Sequence, residues 1–272
     1  MPQLDSIDHN APFDWGRSSE YYAKFRDIYP ASFYKKLREL GIGLPGQNIL
    51  DLGTGTGVLP RAFHALDMQG GGARFTGADI SPEQLAQARA LSQGMDIEYV
   101  LVAAEEIDFP PGTFDAAMAC QCFHYFDREK VMPKIHEVLK PGGRFAILSM
   151  IYLPYQSKIA MRSDKLVLKY NPKWTGSGYR RKNRFEQRAM TTAKWAKPMF
   201  KVENRVFYCE DIPFTRDSWH GRMMSVRGIT ASFLPGEKIA AFEAEHRTYL
   251  ETLPERFAVP HQIMMLILRR QL

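Results

Sequence analysis

The sequence predicts an α/β fold built on a mostly parallel sheet, and three observations carry that prediction. Residues 46–150 alternate short apolar strands with helix-compatible segments, as in a parallel sheet covered by helices. Two further strand-like runs, residues 202–208 and 256–268, would bring the sheet to seven strands, the last of them antiparallel. At 272 residues and 45% hydrophobic, the chain can bury one large core of this kind.

Residues 49–57 read as the end of a buried first strand followed by a glycine-rich turn, in which Gly53, Gly55 and Gly57 alternate with threonines. Glycine lets the backbone adopt positive φ and approach a ligand closely, because it has no Cβ. The spacing is G-x-G-x-G with Val58 in the sixth position, where a dinucleotide fold has glycine. A phosphate loop would carry a Lys-Ser or Lys-Thr pair, which this turn lacks. The turn therefore predicts a ligand site that follows neither phosphate-binding pattern.

The second strand, residues 74–79, ends in Asp79, and a helix start follows at once. Ser81 is a favoured N-cap residue, and Pro82 suits the first helical position. An acid at the tip of the second strand is where α/β folds bind ribose hydroxyls, so Asp79 is a candidate nucleoside contact. The alternative is an acid on a solvated loop.

Three more strand-like runs complete the alternating core, at residues 97–102, 114–120 and 144–148. The third strand leads into Ala104 and Glu105. A Leu-Lys-Pro-Gly-Gly turn at residues 139–143 precedes the fifth strand.

These landmarks, in this order, resemble the class I S-adenosylmethionine-dependent methyltransferases. The glycine turn resembles motif I of that family, and the turn at residues 139–143 is among its more specific short signatures. The resemblance implies a Rossmann-like fold and S-adenosyl-L-methionine as cofactor. The cofactor contacts it implies are Asp51, Gly53, Thr54, Gly55, Asp79, Ile80, Ala104 and Glu105.

Residues 21–30 resemble the entry helix of a narrower subfamily of small-molecule methyltransferases, which includes trans-aconitate-methyltransferase-like enzymes. In that subfamily a tyrosine and an arginine fold over the cofactor, and the carried-over positions are Tyr22 and Arg26. A planar guanidinium suits the carboxylate of the cofactor because it can form paired hydrogen bonds. The alternative for Arg26 is an exposed basic residue on an amphipathic helix.

Three other segments carry the same resemblance. Residues 120–127 are similar to the exit of the fourth strand in the subfamily, which makes Gln121 a further implied cofactor contact. Residues 171–178 and 219–227 resemble its insertion and its later cap segment. The similarity would cover nearly the whole chain, yet it names no acceptor because the substrates of the subfamily are mostly unassigned.

Methyl transfer from a sulfonium needs positioning and exclusion of water more than it needs reactive side chains. A base is required only for a hydroxyl or a protonated amine. His124, directly after the fourth strand, is the candidate catalytic base, and His220 is a second one. The alternative for His124 is a packed histidine of the cavity wall.

Trp174, Trp219 and Arg222 are the candidate contacts to a small acceptor, which we expect to be anionic or aromatic. Trp219 and Arg222 lie three residues apart and can share one helical face. A guanidinium beside an aromatic ring suits a planar or carboxylate-bearing ligand. The alternative is core packing for the tryptophans and solvent exposure for Arg222.

The segment from residue 152 to 205 is strongly basic, with fourteen Lys and Arg against three Asp and Glu. Interleaved aromatics make RNA or tRNA methylation an alternative function. However, the exit of the fourth strand lacks the Asn/Asp-Pro-Pro-aromatic motif that grips an exocyclic base nitrogen. A solvated lid is the structural alternative. A non-catalytic cofactor-binding module is a third possibility, which the retained Asp51 and Asp79 disfavour.

We expect one domain over residues 1–272. Its parts are an N-terminal helical segment at 1–45, the cofactor-binding core at 46–150, a basic cap at 152–200 and the last strands and helices at 201–272.

The remaining expectations concern location and partners. No run of 18 apolar residues occurs, so we expect no membrane span, and the first residues lack the regions of a signal peptide. Three cysteines without paired metal-ligand spacing predict no metal site and a reducing, cytoplasmic location. The expected partner is a small-molecule substrate, and the expected assembly is a monomer or homodimer.

Overall fold

The computed structural model describes residues 7–67, 72–176 and 196–271. Seven strands form one sheet in the order β3-β2-β1-β4-β5-β7-β6. Neighbouring strands from β3 to β5 pair in parallel, whereas β7 is antiparallel to both β5 and β6. The predicted sheet of seven strands with an antiparallel last strand is therefore confirmed. The strands are β1 (Asn48–Leu52), β2 (Arg74–Asp79), β3 (Ile97–Leu101), β4 (Phe114–Cys120), β5 (Leu139–Tyr152), β6 (Phe200–Thr215) and β7 (Arg256–Arg270).

The sheet has a hydrophobic core on each face. Successive residues of a strand point to opposite faces, so Ile49 packs in one core while Leu50 packs in the other. Buried runs such as β1 and β4 follow from this two-sided burial. The described α-helices are α1 (Ser19–Phe25), α2 (Ala31–Glu39), α3 (Val58–Leu66), α4 (Pro82–Leu91), α5 (Arg128–Val138), α6 (Lys158–Tyr170), α7 (Arg216–Met224) and α8 (Gly236–Glu251).

The N-terminal helices differ in one respect from the sequence pattern, which predicts helix over residues 20–29. Helix α1 ends at Phe25, and residues 26–30 are extended or turned. Pro30 is consistent with the early end, because a proline in a continuing helix would clash with the carbonyl of the residue four positions earlier, here Arg26. The shorter helix leaves Arg26 at its C-cap, where the side chain can turn towards the sheet.

The predicted start of α4 is confirmed, since the Ser81 hydroxyl accepts a hydrogen bond from the Gln84 amide at 3.3 Å and Pro82 opens the helix. Strand β5 lies before the basic segment, and β6 and β7 lie after it in the same sheet. The most basic stretch, residues 177–195, lies outside the described residues. Among the residues that are described, no helix is long and apolar enough to cross a membrane.

Candidate active site

A cavity of about 320 Å³ opens at the carboxyl ends of β1, β2, β4 and β5. This is the edge at which parallel α/β sheets bind ligands. Most of the residues singled out in the sequence meet there. Those in its wall are Tyr22, Arg26, Gly53, Gly55, Asp79, Ile80, Ala104, Glu105, Gln121, His124, Trp174 and Arg222.

The glycine turn and Asp79 are tied together at the floor of the cavity. The Gly55 amide donates to Asp79 Oδ2 at 2.8 Å, and the Ser81 amide donates to Oδ1 at 2.9 Å. Gly53 and Gly55 have φ of 63° and 57°, the left-handed region that favours glycine. A Cβ at Gly53 would also lie 2.8 Å from Cys122 Sγ. Burial raises the pKa of the Asp79 carboxyl, and the amide hydrogen bonds oppose that rise.

Asp51 and Thr54 lie beneath the turn rather than in the cavity wall. The Thr54 hydroxyl donates to Asp51 Oδ2 at 2.7 Å, and both side chains are buried. Burial raises the pKa of Asp51 to about 7, and the nearby Asp79 adds to the rise. The two residues therefore support the turn, and their side chains do not line the cavity for which the resemblance implied a contact.

Tyr22 and Arg26 form the wall opposite the glycine turn. The guanidinium of Arg26 lies over the Tyr22 ring, 4.7 Å from its centroid. Arg26 Nε donates to Ser225 Oγ at 2.8 Å, which connects α1 to the end of α7. The alternative of a solvent-exposed basic residue does not describe Arg26, because its side chain lines the cavity.

Gln121 lies at the exit of β4, and Glu105 lies just after β3. Gln121 adopts φ of 64°, which is unusual for a residue with a side chain, and its side-chain amide donates to the Met150 carbonyl. Glu105 Oε1 accepts a hydrogen bond from the Asp127 amide at 2.8 Å. Both side chains are thus held in place by backbone groups while they line the cavity.

Arg222 is buried in the cavity wall, with 5% of its surface exposed. Its guanidinium carbon lies 5.2 Å from the centroid of the Tyr152 ring. Within the described residues, Nε and Nη1 have no hydrogen-bond partner. Burial, together with the nearby positive charge of Arg26, lowers the pKa of Arg222 to about 9. The alternative of solvent exposure for Arg222 is wrong.

Trp219 and His220 are placed away from the cavity. Trp219 is fully buried, and its indole N–H donates to Ser163 Oγ at 2.9 Å. It shares a helical face with Arg222, since both contact Tyr152, but only Arg222 reaches the cavity. His220 is also buried, with Nδ1 2.9 Å from Nδ1 of His246. We therefore assign no ligand contact to Trp219 and no catalytic role to His220.

His124 and Trp174 both line the cavity. The His124 side chain is exposed, and its ring centroid lies 4.0 Å from that of Tyr125. Trp174 is almost fully buried and packs against Gly228, where an added Cβ would lie 2.7 Å from the indole. His124 is therefore accessible to a ligand, whereas Trp174 offers one face as a wall.

Several residues of the cavity wall were missed by sequence reasoning. Tyr152 is the last residue of β5 and Gln156 follows that strand, so the rule that ligands bind at strand carboxyl ends could have found them. Phe13 and Trp15 precede α1 in a segment with no periodic pattern, and no sequence signal points to them. Gln84, on the first turn of α4, also lines the cavity.

The segment of residues 7–18, which we call the N-terminal strap, is fixed to the cavity wall by an ion pair. Arg227 Nε and Nη2 donate to the two carboxylate oxygens of Asp8 at 2.5 and 3.0 Å. Both side chains are buried, and Arg227 Nη1 also donates to the Tyr125 hydroxyl at 2.5 Å. The Trp15 carbonyl accepts from Gln84 Nε2 at 2.9 Å. The strap thereby becomes part of the site.

Comparison with known proteins agrees with this geometry. The methyltransferase domain family matches residues 50–147. The ubiquinone biosynthesis O-methyltransferase of Pseudomonas aeruginosa is 30% identical over 165 residues, which are 59% of this chain and 68% of that protein. The chain belongs to the class I S-adenosylmethionine-dependent methyltransferases. Its Rossmann-like fold and its cofactor, S-adenosylmethionine, are those of the family.

Other relatives of this methyltransferase cover less of it or share only the fold. The demethylmenaquinone methyltransferase of Thermus thermophilus is 37% identical over 113 residues, 40% of this chain, and the match spans half the length of that protein. A structure described as a type II methyltransferase from Anaeromyxobacter dehalogenans has a TM-score of 0.55 at 19% identity, covering 90% of this chain and 97% of that one. A methyltransferase structure from Bacillus halodurans has a TM-score of 0.52 at 16% identity, covering 89% and 100%.

The site of this methyltransferase fits the polar groups of S-adenosylmethionine. Acids line one side of the cavity, where a ribose needs acceptors, and Arg26 lines another, where a carboxylate needs a donor. Gln84 Oε1 is buried and has no partner within the described residues, so it can accept from a cofactor donor. A Cβ at Gly55 would meet no atom closer than 3.6 Å, which leaves the turn open to a ligand.

Proposed function

We propose that this methyltransferase methylates a small molecule bound between the glycine turn and the cap. The observation that carries the proposal is the continuity of one cavity, whose wall includes Asp79 and Glu105 as well as His124 and Arg222. The cofactor, when bound, supplies a methyl group on a positively charged sulfur. We also propose that the chain works as one domain, with residues 152–200 as the cap, in the cytoplasm.

The proposed cofactor residues divide by chemistry. Asp79 accepts hydrogen bonds from the ribose hydroxyls, and Ile80, which is half exposed, packs on the adenine. Ala104 and Glu105 line the adenine edge, and Gln121 fixes the exit of β4. Arg26 donates to the carboxylate of the cofactor while the Tyr22 ring holds its guanidinium in place.

His124 is the proposed general base for the acceptor. An exposed imidazole at the exit of β4 can take the proton from a hydroxyl as the new bond to the methyl carbon forms, or from an ammonium before the neutral amine attacks. Tyr125 and the N-terminal strap flank it and limit the access of water. Trp174 and Arg222 complete the proposed acceptor contacts.

Asp79→Ala is expected to weaken cofactor binding by roughly 2–3 kcal/mol, or about 30–150-fold in Kd, because two hydrogen bonds to a charged group are lost. Calorimetry with S-adenosylhomocysteine measures the change. Asp79→Asn, which keeps one oxygen for the backbone amides, separates the ribose contact from the support of the turn. Glu106→Ala, at an exposed neighbour of Glu105, is the matched control. An unchanged Kd in Asp79→Ala would refute the ribose assignment.

The proposed function is tested by transfer of labelled methyl groups to carboxylic acids, phenols, amines and transfer RNA. We expect label on a small molecule, with turnover that barely responds to salt between 50 and about 200 mM, because a buried site excludes counterions. Label on RNA, with binding that falls steeply over the same range, would instead favour nucleic-acid methylation. His124→Gln is expected to lower turnover by roughly 10²–10⁴-fold, the usual contribution of a general base.

A further inference from the structure

We propose that Arg222 binds a carboxylate of the acceptor, and that this carboxylate is an anchor that does not itself receive the methyl group. The inference rests on the proposed function and names its substrate class. The acceptor then carries two groups, a carboxylate for Arg222 and a separate nucleophile.

Within the part of the chain that the structure describes, the buried Arg222 guanidinium forms no ion pair with a carboxylate. The groups that most affect its charge are Arg26, which is also positive, and the phenols of Tyr152, Tyr22 and Tyr29. Two of its nitrogens are buried without a partner within the described residues. An unpaired buried ion is costly, so a group of this kind that lines a cavity fits an anionic ligand.

The cofactor does not supply the anion that pairs with Arg222. Arg26 is the residue proposed for the cofactor carboxylate, and Ser225 connects the Arg26 side chain to the backbone of α7 at Arg222. Ser225 Oγ accepts from Arg26 Nε at 2.8 Å and donates to the Arg222 carbonyl at 2.8 Å. Both guanidinium groups line the cavity, so two carboxylates can bind there, and S-adenosylmethionine supplies one of them. The second carboxylate therefore comes from the acceptor.

The pairing with Arg222 also restricts which acceptor atom receives the methyl group. As the bond from the methyl carbon to sulfur breaks, its electron pair stays on sulfur, and a lone pair of the acceptor forms the new bond. A carboxylate in that role loses its negative charge. A tight pair with Arg222 would stabilise the charged reactant more than the transition state, and would thus slow the reaction. The methyl ester would again leave Arg222 unpaired.

An anchored carboxylate avoids this conflict because its charge persists throughout the reaction. The nucleophile is then a hydroxyl or amine elsewhere on the acceptor, whose proton passes to His124, or a second carboxylate that needs no base. Tyr152 positions the Arg222 guanidinium that binds this carboxylate. The Tyr152 hydroxyl donates to Asp164 Oδ1 at 2.6 Å, and its ring contacts the guanidinium. Tyr152 and Asp164 are positioning residues in this scheme.

The first test measures stability without any acceptor. Arg222→Met removes an uncompensated buried charge at similar volume, so we expect the apo protein to melt at least roughly 2–4 °C higher. Arg216→Met is the matched control on the same helix; Arg216 bonds the Leu253 carbonyl, so its loss is not expected to stabilise. Succinate and benzoate should raise the melting temperature of the wild type and leave that of Arg222→Met unchanged. A lower melting temperature in Arg222→Met, or equal carboxylate shifts in both proteins, would overturn the proposal.

The second test screens hydroxy acids, amino acids and dicarboxylic acids against the amides or esters of the same carbon skeletons. We expect methylation only where a free carboxylate remains in the product, and a KM for the acceptor at least roughly 30-fold higher in Arg222→Met. The Kd for S-adenosylhomocysteine should stay within about threefold. Methyl esters of monocarboxylic acids as the products would overturn the anchor. Label on transfer RNA alone would reject the proposed function, whereas equal turnover of acids and amides would reject only this inference.

Discussion

Acidification from pH 7 to pH 5 is expected to lower the free energy of unfolding through three buried histidines. Together they contribute roughly 5–6 kcal/mol to this loss. His220, His246 and His261 are at most 1% exposed. Burial lowers their pKa values to about 4, 3 and 3, respectively. In the unfolded chain these imidazoles titrate near their ordinary value of about 6.5.

The sign follows from proton binding. Below about pH 6.5 the unfolded chain takes up protons that the folded histidines do not, so stability falls as pH falls towards the folded pKa values. Each histidine contributes about 2 kcal/mol over this interval. Asp51 acts in the opposite direction, because its raised pKa of about 7 makes the folded carboxyl bind a proton that the unfolded chain has released. Asp79 opposes the histidines in the same way.

Urea unfolding at pH 5 and pH 7 measures the effect. His261→Gln is expected to reduce the difference between the two pH values by about 2 kcal/mol, and Asp51→Asn to enlarge it by a similar amount. His9→Gln, at an exposed position, is the matched control. If His261→Gln leaves the difference unchanged, the buried imidazole is not the source of the pH dependence.

Asp8→Ala is expected to cost roughly 3–5 kcal/mol of unfolding free energy, because it leaves the buried Arg227 guanidinium without its carboxylate. Replacing both partners, as in Asp8→Leu with Arg227→Met, should recover a large part of the loss, since the apolar pair leaves no buried charge. Urea unfolding of the single and double variants measures both changes.

Glu39→Ala, which removes an exposed ion pair with Lys36, is the control and should change stability by at most about 1 kcal/mol. If Asp8→Ala also lowered the free energy of unfolding by at most about 1 kcal/mol, the N-terminal strap would be open in solution for much of the time. Cofactor binding should then also be insensitive to the substitution, although Phe13 and Trp15 line the cavity.

The sheet and the cofactor side of the cavity could be predicted because their signals are local. Each parallel strand is a short apolar run, and the glycines that approach a ligand stand beside the strand they follow. Asp79 could be placed at the site because the end of β2 defines where its side chain lies. In each case a short apolar run locates the strand, and the residues at its end locate the site.

The acceptor side could not be predicted in the same way because it depends on distant contacts. Trp219 and Arg222 look alike in sequence as potential ligand contacts, and both are buried beside Tyr152, yet only Arg222 lines the cavity. The N-terminal strap is fixed by the contact between Asp8 and Arg227, which lie 219 residues apart. No spacing rule reaches across such a distance.

The position of β7 between β5 and β6 has a consequence for synthesis of the chain. When β6 leaves the ribosome, the strand that pairs with it has not yet been made, and β5 also lacks its outer neighbour. Both strands then present unpaired backbone groups and apolar side chains to solvent, a state that favours aggregation. Translation speed and chaperone supply over residues 216–270 should therefore control the yield of folded enzyme more than those over residues 46–150.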